Sequence, residues 1–155
     1  MNHQELLEFK QQVHQACMAL VQSQLDTIQK SLDELMEAKS SETKSSAGDK
    51  YETGMAMIQN QEELYKRQRA DARSRQNKLK SISPTTQLTK ADKGALILSS
   101  LGNFYICIGL GKVVVEGHEV YVISIESPLG KSLKGKQCGE ELTFNGKTSS
   151  IENVV

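Results

Sequence analysis

The stretch ETKSSAGDKYE, residues 42–52, separates two long helical patterns and decides how this chain folds. Before it, apolar residues recur at steps of three and four, and no Pro or Gly precedes Gly48. This period is typical of a single amphipathic helix, which at about 1.5 Å per residue would extend on the order of 50 Å. The apolar stripe consists of Leu6, Phe9, Val13, Cys17, Val21, Leu25, Ile28, Leu32 and Leu35. A helix so long cannot bury its stripe alone and needs a partner.

The second helical pattern has the same period but fewer apolar residues. Its members are Tyr51, Met55, Ile58, Leu64 or Tyr65, Ala72 and Leu79. Residues 40–48 form a short polar connection, and short connections favour antiparallel neighbours. The pattern therefore predicts an intramolecular α-helical hairpin. An intermolecular coiled coil is the alternative, because the second stripe is thin beyond Leu64.

The period changes after residues 81–93, which contain Pro84 and many Ser, Thr and Lys residues typical of a linker. Short runs rich in Val, Ile, Tyr and Phe then alternate with Gly-containing turns, as in β-hairpins. These runs are residues 95–98, 104–108, 112–115, 119–125, 141–144 and 147–151. We predict three parts: a hairpin over 1–82, a linker over 83–93 and a β domain over 94–155.

Two local signals refine the β domain. Ser127 followed by Pro128 is typical of a helix N-cap with Pro at the first helical position, and it predicts a short helix over 129–133. Asn145-Gly146 predicts a type I′ turn in the last hairpin. The fold class is therefore α+β: an N-terminal antiparallel coiled-coil hairpin followed by a small antiparallel β domain with one short helix.

The formal net charge of zero conceals an uneven distribution. Through Leu64 the chain has 11 acidic and 5 basic residues, whereas residues 65–80 have 7 basic residues and one acid, Asp71. Such asymmetry indicates a polyanionic partner. Three cysteines at scattered spacings indicate reduced thiols, so we expect a cytoplasmic protein. No apolar run approaches the 18 residues or so that a membrane span needs.

Asp49 and Glu52 are the most informative polar pair. Asp-x-x-Glu is a capping-box spacing, and carboxylates are favoured at helix N-termini without any further function. Ser45 and Ser46 are better caps, however, and with Ser46 as the cap the two acids lie one turn apart on one exposed face. Two such carboxylates can share Mg²⁺, although they need a second site to complete its coordination.

The basic run after Tyr65 is the second candidate site. Lys66, Arg69 and Arg73 fall roughly on one helical face, which allows a stripe of phosphate contacts. The alternative is an ordinary solvated face, and no interleaved aromatic residues support base stacking. The histidines have no Cys or Ser partner at a catalytic spacing, and no CxxC, HExxH or P-loop motif occurs. We therefore expect that the protein is not itself an enzyme.

Two stretches resemble the Gre family of bacterial transcription elongation factors. GDKYE, residues 48–52, is similar to the acidic motif at the end of that family's coiled coil. ISIESPLGKSLKGK, residues 123–136, followed by Gly139-Glu140-Glu141, resembles the family's C-terminal Ser-Pro, small helix and Gly-Lys segment. The resemblance implies a coiled-coil hairpin followed by a domain of FKBP-like fold, in the same order.

The resemblance also implies a function. The C-terminal domain would dock at the secondary channel of RNA polymerase, and the hairpin would enter it. Asp49 and Glu52 would then help to hold a second Mg²⁺ while the polymerase hydrolyses backtracked RNA. Residues expected to contact RNA or polymerase are Lys66, Arg69, Arg73, Ser127 and Pro128. We expect a monomer that has RNA polymerase as its partner, with the nascent RNA 3′ segment as a further contact. Direct DNA contact and membrane association are not expected.

Departures from the family pattern keep other functions open. Thr53, Gly54, Met55 and Ala56 follow Glu52, where the family usually has Asn and then Tyr, so this would be a divergent branch. One alternative is a secondary-channel regulator or inhibitor without cleavage activity. Another is a coiled-coil adaptor that makes no catalytic contribution. A peptidyl-prolyl isomerase follows from the fold name alone, and few aromatic residues are present to line a proline pocket.

Overall fold

The computed structural model describes residues 1–44 and 48–155, and it describes side chains outside 42–51. It confirms the α+β fold class: two long helices precede six strands and one short helix. The helices are α1 (His3–Lys44), α2 (Gly48–Lys80) and α3 (Pro128–Leu133). The strands are β1 (Leu96–Ser99), β2 (Gly102–Cys107), β3 (Gly111–Val115), β4 (His118–Ser124), β5 (Glu141–Phe144) and β6 (Lys147–Val154).

The chain packs as two compact units. Their boundaries differ from the predicted linear division of the chain at residues 82 and 93. The helical unit comprises residues 20–76, and the sheet unit comprises residues 1–19 together with 77–155. The start of α1 belongs to the sheet unit because its apolar residues are buried there. The Phe9 ring, for example, meets the His118 ring edge-on at a centroid distance of 5.5 Å. No described helix has an apolar segment long enough to cross a membrane.

The helical unit is an antiparallel hairpin within one chain, as the sequence predicts. Three side-chain hydrogen bonds between described residues connect its helices, and the residue numbers fall along α1 as they rise along α2. The bonds are Gln76 to Gln22 at 2.8 Å, Arg75 to Gln24 at 2.9 Å and Arg69 to Gln29 at 3.0 Å. The partner that α1 needs is therefore α2 of the same chain.

The sheet differs from the expected antiparallel sheet in one respect: it is mixed. The strand order is β3-β4-β2-β1-β6-β5, and β2 and β4 pair in parallel, with Tyr105 opposite Val122. All other neighbours pair antiparallel. The Gly-containing segment after β2 predicted a hairpin, but β4 lies between β2 and β3. Local turn chemistry does not determine which strand becomes the neighbour, because that choice depends on which faces can be buried together.

The tight turns follow their sequence signals. Asn145 and Gly146 have φ values of 53° and 75°, which confirms the type I′ turn between β5 and β6. Glu116 and Gly117 have φ values of 51° and 76° and form the equivalent turn between β3 and β4. Positive φ at both central positions matches the right-handed twist of the flanking strands. These two turns therefore fix the registers of the two edge hairpins.

Strand β2 is buried on both faces. Phe104 and Ile106 point into a core that also contains Leu133, Leu142 and others. The ring of Phe104 contacts those of Tyr121 and Phe144 at centroid distances of 5.7 and 5.1 Å. The remaining core residues are Ala91, Ile97, Ile125 and Ile151. Alternate residues of a strand face opposite sides, so Tyr105 and Cys107 need a second cover.

The start of α1 provides that cover. A hydrogen bond of 2.8 Å joins Nδ1 of His14 to the hydroxyl group of Tyr105, and both side chains are buried. Lys10, one turn earlier, is fully buried, and its ammonium group donates to the backbone oxygens of Thr86 and Val155 at 2.8 and 3.0 Å. These bonds compensate in part for the cost of burying a cation.

Helix α3 begins as the Ser-Pro pair predicts. The Ser127 hydroxyl group accepts a hydrogen bond from the Gly130 amide at 3.0 Å and donates to the backbone oxygen of Ser124 at 2.6 Å. Pro128 occupies the first helical position. Gly130 lies so close to the chain after β4 that an added Cβ atom would overlap the Ser124 oxygen and lie 2.8 Å from Cα of Ile125. Only glycine fits this contact.

We expect the variant Gly130→Ala to lower the free energy of unfolding by about 2 kcal/mol or more, because backbone cannot move aside as a flexible side chain can. Helix propensity alone would make the Ala variant more stable, so a loss of stability would have to come from the close contact at Gly130. Ser132→Ala, at an exposed position of the same helix, is the matched control and should stay within about 0.5 kcal/mol. Chemical denaturation measures both, and an unchanged Gly130→Ala would contradict the close packing.

Lys10 makes stability depend on pH. Burial lowers the pKa of Lys10 from 10.5 to about 8. Between these values the unfolded chain holds the proton that the folded chain has lost, so the Lys10 contribution to the free energy of unfolding rises with pH. We expect wild type to gain stability relative to Lys10→Met from pH 8 to pH 10. Denaturation of both proteins across this range measures the difference, and a constant difference would contradict the buried cation.

Candidate functional site

The acidic pair lies at the connection between the two long helices. Helix α1 ends at Lys44 and α2 begins at Gly48, so positions 49 and 52 belong to the first two turns of α2. Glu52 is exposed. The side chain of Asp49 lies outside the described residues, as do Ser45 and Ser46, the predicted caps. A spacing of three places two helical positions on neighbouring turns, which is the spacing that a shared cation needs.

The donor chemistry of the pair suits a magnesium ion that is only partly held. Carboxylate oxygens are the ligands that Mg²⁺ prefers, and protein sites often provide only one or two of them. In the part of the chain that the structure describes, no three His, Cys, Asp or Glu side chains are grouped to hold a metal ion. A metal-ligand role for Glu52 stays a prediction.

The predicted basic stripe is less open than the sequence suggests. Lys66 forms an ion pair with Glu62 at 2.9 Å, and the Arg69 guanidinium group donates to Gln29 across the hairpin at 3.0 Å. Arg73 is exposed, and it makes no hydrogen bond or ion pair with the other described residues. The structure thus brings the three residues onto one helix but leaves only Arg73 with an uncommitted charge.

A groove beside Arg73 also contains an acid. This groove has a volume of about 280 Å³ and is lined by Arg69, Arg73 and Asp26, together with glutamine side chains. The carboxylate of Asp26 opposes the binding of a phosphate there. Contact with a polyanion stays a prediction. Among the described residues of α2, the exposed cations that form no ion pair are Arg67, Arg73, Lys78 and Lys80.

The seam of the hairpin is partly polar. Along α2 the half-buried and buried positions recur at alternating steps of three and four, as in a coiled coil. The positions in this repeat are Met55, Ile58, Glu62, Tyr65, Arg69, Ala72, Gln76 and Leu79, and Gly54 and Arg75 beside it are also half-buried. Glu62 also lies 3.6 Å from Lys39 of α1, and its hydrogen bond with Lys66 lowers the pKa of Glu62. The thin second stripe of the sequence is therefore a seam in which polar residues interrupt the apolar ones.

Ser127 and Pro128 have a structural explanation. Both belong to the cap of α3, where the Ser127 hydroxyl group is fully used by Ser124 and Gly130. Pro128 is exposed and Ser127 is half-buried, so a partner could still touch them. Their expected contact with polymerase stays a prediction.

Sequence reasoning missed one cluster of titratable groups. Lys10, His14, Cys17, Tyr105 and Cys107 are buried where α1 covers β2, and His14 and Tyr105 share a hydrogen bond. His14 and Cys17 fall on the apolar stripe of α1 at the spacing of one helical turn, and this signal could have identified them as buried. Nothing in the sequence indicated that their partners would be the alternate residues of β2.

No protein-family model matches the chain, and no curated protein matches it. Among solved structures the chain is similar to that of the transcription factor Gfh1, with 17% sequence identity and a TM-score of 0.30. The alignment covers 89% of this chain and 91% of that chain. A likeness at this level assigns no role to any residue here.

The polar seam predicts a stabilising substitution. We expect Arg69→Leu to raise the free energy of unfolding by about 1 kcal/mol. A leucine at this seam position would bury more apolar surface between the two helices than the arginine does. Arg67→Leu makes the same change at an exposed position and should stay within about 0.5 kcal/mol. Denaturation of both variants, followed by the helical circular dichroism signal, measures these changes. A loss of stability in Arg69→Leu would show that its bond to Gln29 matters more than apolar packing.

Proposed function

We propose that the chain is a transcription factor that binds RNA polymerase and supplies Asp49 and Glu52 to the polymerase active centre, where they stimulate cleavage of backtracked transcripts. One observation carries the proposal. An intramolecular helical hairpin has the acidic pair in the first two turns after its connection, and Glu52 is exposed there. The Gre-like motifs at residues 48–52 and 123–136 support the same reading of the chain.

The dimensions of the hairpin suit entry into a channel. The part of α2 within the helical unit, residues 48–76, extends about 40 Å at the usual rise. Two helices side by side have a cross-section of roughly 10 by 20 Å. A hairpin of this shape can carry two carboxylates into a site that a globular domain cannot enter. The acids would then reach an active centre that already binds nucleic acid and metal.

Asp49 and Glu52 would hold a Mg²⁺ ion jointly with the polymerase. When bound, such an ion stabilises negative charge and activates water for phosphodiester hydrolysis. The residues of this chain bring negative charge to the site and orient oxygen ligands on one helical turn. Because two carboxylates alone bind the ion weakly, they act only inside the complex. The protein would therefore stimulate the polymerase without being an enzyme itself.

The exposed cations of α2 would assist by contacting phosphates. Arg73 is the strongest candidate among the three predicted residues, because Lys66 and Arg69 are engaged within the hairpin. Nonspecific contacts of this kind weaken with salt. They would add affinity for the nascent RNA 3′ segment or for polymerase without reading sequence.

The decisive experiment measures transcript cleavage in stalled, backtracked elongation complexes of the cognate RNA polymerase. We expect wild type to shorten the RNA and Asp49→Asn/Glu52→Gln to lose roughly 100-fold in stimulated rate, because the metal-ligand charge is worth several kcal/mol. Binding to polymerase is measured separately by fluorescence anisotropy and should be unchanged in this variant. Both substitutions keep side-chain size and remove only charge.

Glu34→Gln/Glu37→Gln provides the matched control. These two acids are exposed on α1 within the helical unit, are also three residues apart and lose the same charge. We expect this control to cleave like wild type. If wild type binds polymerase but does not cleave, the protein is a regulator that occupies the channel. If it does not bind at all, the proposed function fails and the adaptor alternative takes its place.

A further inference from the structure

Strand β3 is an open edge of the sheet. The strand order places β3 at one end and β5 at the other, and among the described strands β3 pairs with β4 alone. Its sequence, GKVVV, ends in three consecutive β-branched valines. Val114, the middle one of the three, is 62% exposed. An exposed strand edge of this composition is a template on which another strand can pair.

The register identifies the backbone groups on the free side of β3. Val115 and His118 close the two-residue turn, so they form a hydrogen-bonded pair. Directly opposed pairs of an antiparallel ladder alternate between hydrogen-bonded and non-hydrogen-bonded. Lys112 and Val114 therefore occupy non-hydrogen-bonded positions, and their N–H and C=O groups point away from β4. No backbone hydrogen bond from elsewhere in the described chain reaches these groups.

The other edge strand, β5, is better protected. By the same alternation, Glu141 and Thr143 are the residues of β5 whose backbone groups face outward. The ammonium group of Lys136 donates to the backbone oxygen of Glu141 and so takes one outward acceptor. Charged side chains beside an edge also hinder the approach of another strand. Of the two edges, β3 is the more open to pairing.

We infer that β3 is a self-association surface, at which a second copy of this chain adds its own β3 antiparallel to the first and extends the sheet. The two-fold axis passes beside Val113. In this register Lys112 of each copy lies opposite Val114 of the other, and the outward N–H and C=O groups of both residues pair reciprocally. An identical strand thus uses all of these donors and acceptors, as a two-fold symmetric contact requires.

The side chains suit the same register. Lys112 of one copy comes near Glu116 of the other, and opposite charges attract across paired strands. The aliphatic stem of Lys112 covers the exposed Val114 of the second copy. Val115 lies opposite Gly111, which has no side chain to obstruct it.

The contact is short, so the dimer should be weak. A five-residue edge buries less than the roughly 1,200 Å² of a standard interface, and we expect a Kd on the order of 100 µM. At lower concentrations the chain would be a monomer. The inference rests on the sheet unit alone and is independent of the proposed function.

The test is sedimentation equilibrium of the full chain from about 5 µM to about 1 mM, a range that brackets the expected Kd. We expect wild type to pass from monomer to dimer. Val114→Lys should weaken the dimer at least about 10-fold, because it places like charges opposite each other at Lys112. Thr143→Lys is the matched control: it changes the equivalent outward position of the β5–β6 hairpin and should dimerise like wild type.

A charge exchange tests the register. Adding Lys112→Glu to Val114→Lys places opposite charges at both reciprocal pairs and should restore the dimer to within about 3-fold of wild type. Hydrogen exchange gives a second readout. The amides of Lys112 and Val114 should become protected only at high protein concentration, whereas that of Val113, which faces β4, should be protected at every concentration.

Three results would overturn the inference. The first is a wild-type monomer at every concentration, which would leave the edge to a strand of another protein. The second is a dimer that Thr143→Lys weakens as much as Val114→Lys does, or that the charge exchange does not restore. The third is a dimer in which the exchange of the Lys112 and Val114 amides does not slow.

Discussion

Burial of β2 on both faces is the constraint on which the sheet unit depends. One face contributes Phe104 and Ile106 to the apolar core, and the other presents Tyr105 and Cys107. A strand in this position must be covered twice, and the second cover has to come from outside the sheet. The first turns of α1 supply the second cover. For this reason residues 1–19 belong to the sheet unit although they are far from it in sequence.

The second cover contains polar groups, and each of them has a partner. His14 is paired with Tyr105, and Lys10 donates to two backbone oxygens. No buried side-chain N or O atom of the described residues lacks a hydrogen bond. Polar pairs of this kind fix the register of α1 on the sheet, because a shift of one turn would leave a cation or a hydroxyl group buried without a partner.

The helical unit follows a different principle. Its seam places Glu62, Arg69 and Gln76 where a stable coiled coil would have apolar residues. Affinity between the two helices therefore depends on the short connection that makes them neighbours as much as on their packing. The same polarity explains why the second stripe was hard to recognise in the sequence. The basic stripe is also partly paired, since Arg69 donates to Gln29 across the hairpin and Lys66 forms an ion pair with Glu62 of the same helix.

The acidic pair could be located from the sequence because it is a local feature: a helical break followed by two acids three residues apart. The structure adds that Glu52 is exposed, but it does not describe the Asp49 side chain. The pairing of His14 with Tyr105 could not be located in this way. It depends on which face of α1 meets which face of β2, and no spacing within either element contains that information.

By itself the sequence determined the long helices, the type I′ turn at Asn145-Gly146, the capped short helix after Ser127 and the α+β class. Each of these depends on interactions between residues close in sequence: helical periodicity, turn dihedral angles and capping hydrogen bonds. Tertiary structure decided the parallel pairing of β2 with β4, the place of residues 1–19 and the burial of Lys10. These depend on which distant surfaces can be buried together with all their polar groups paired, and local patterns do not encode that choice.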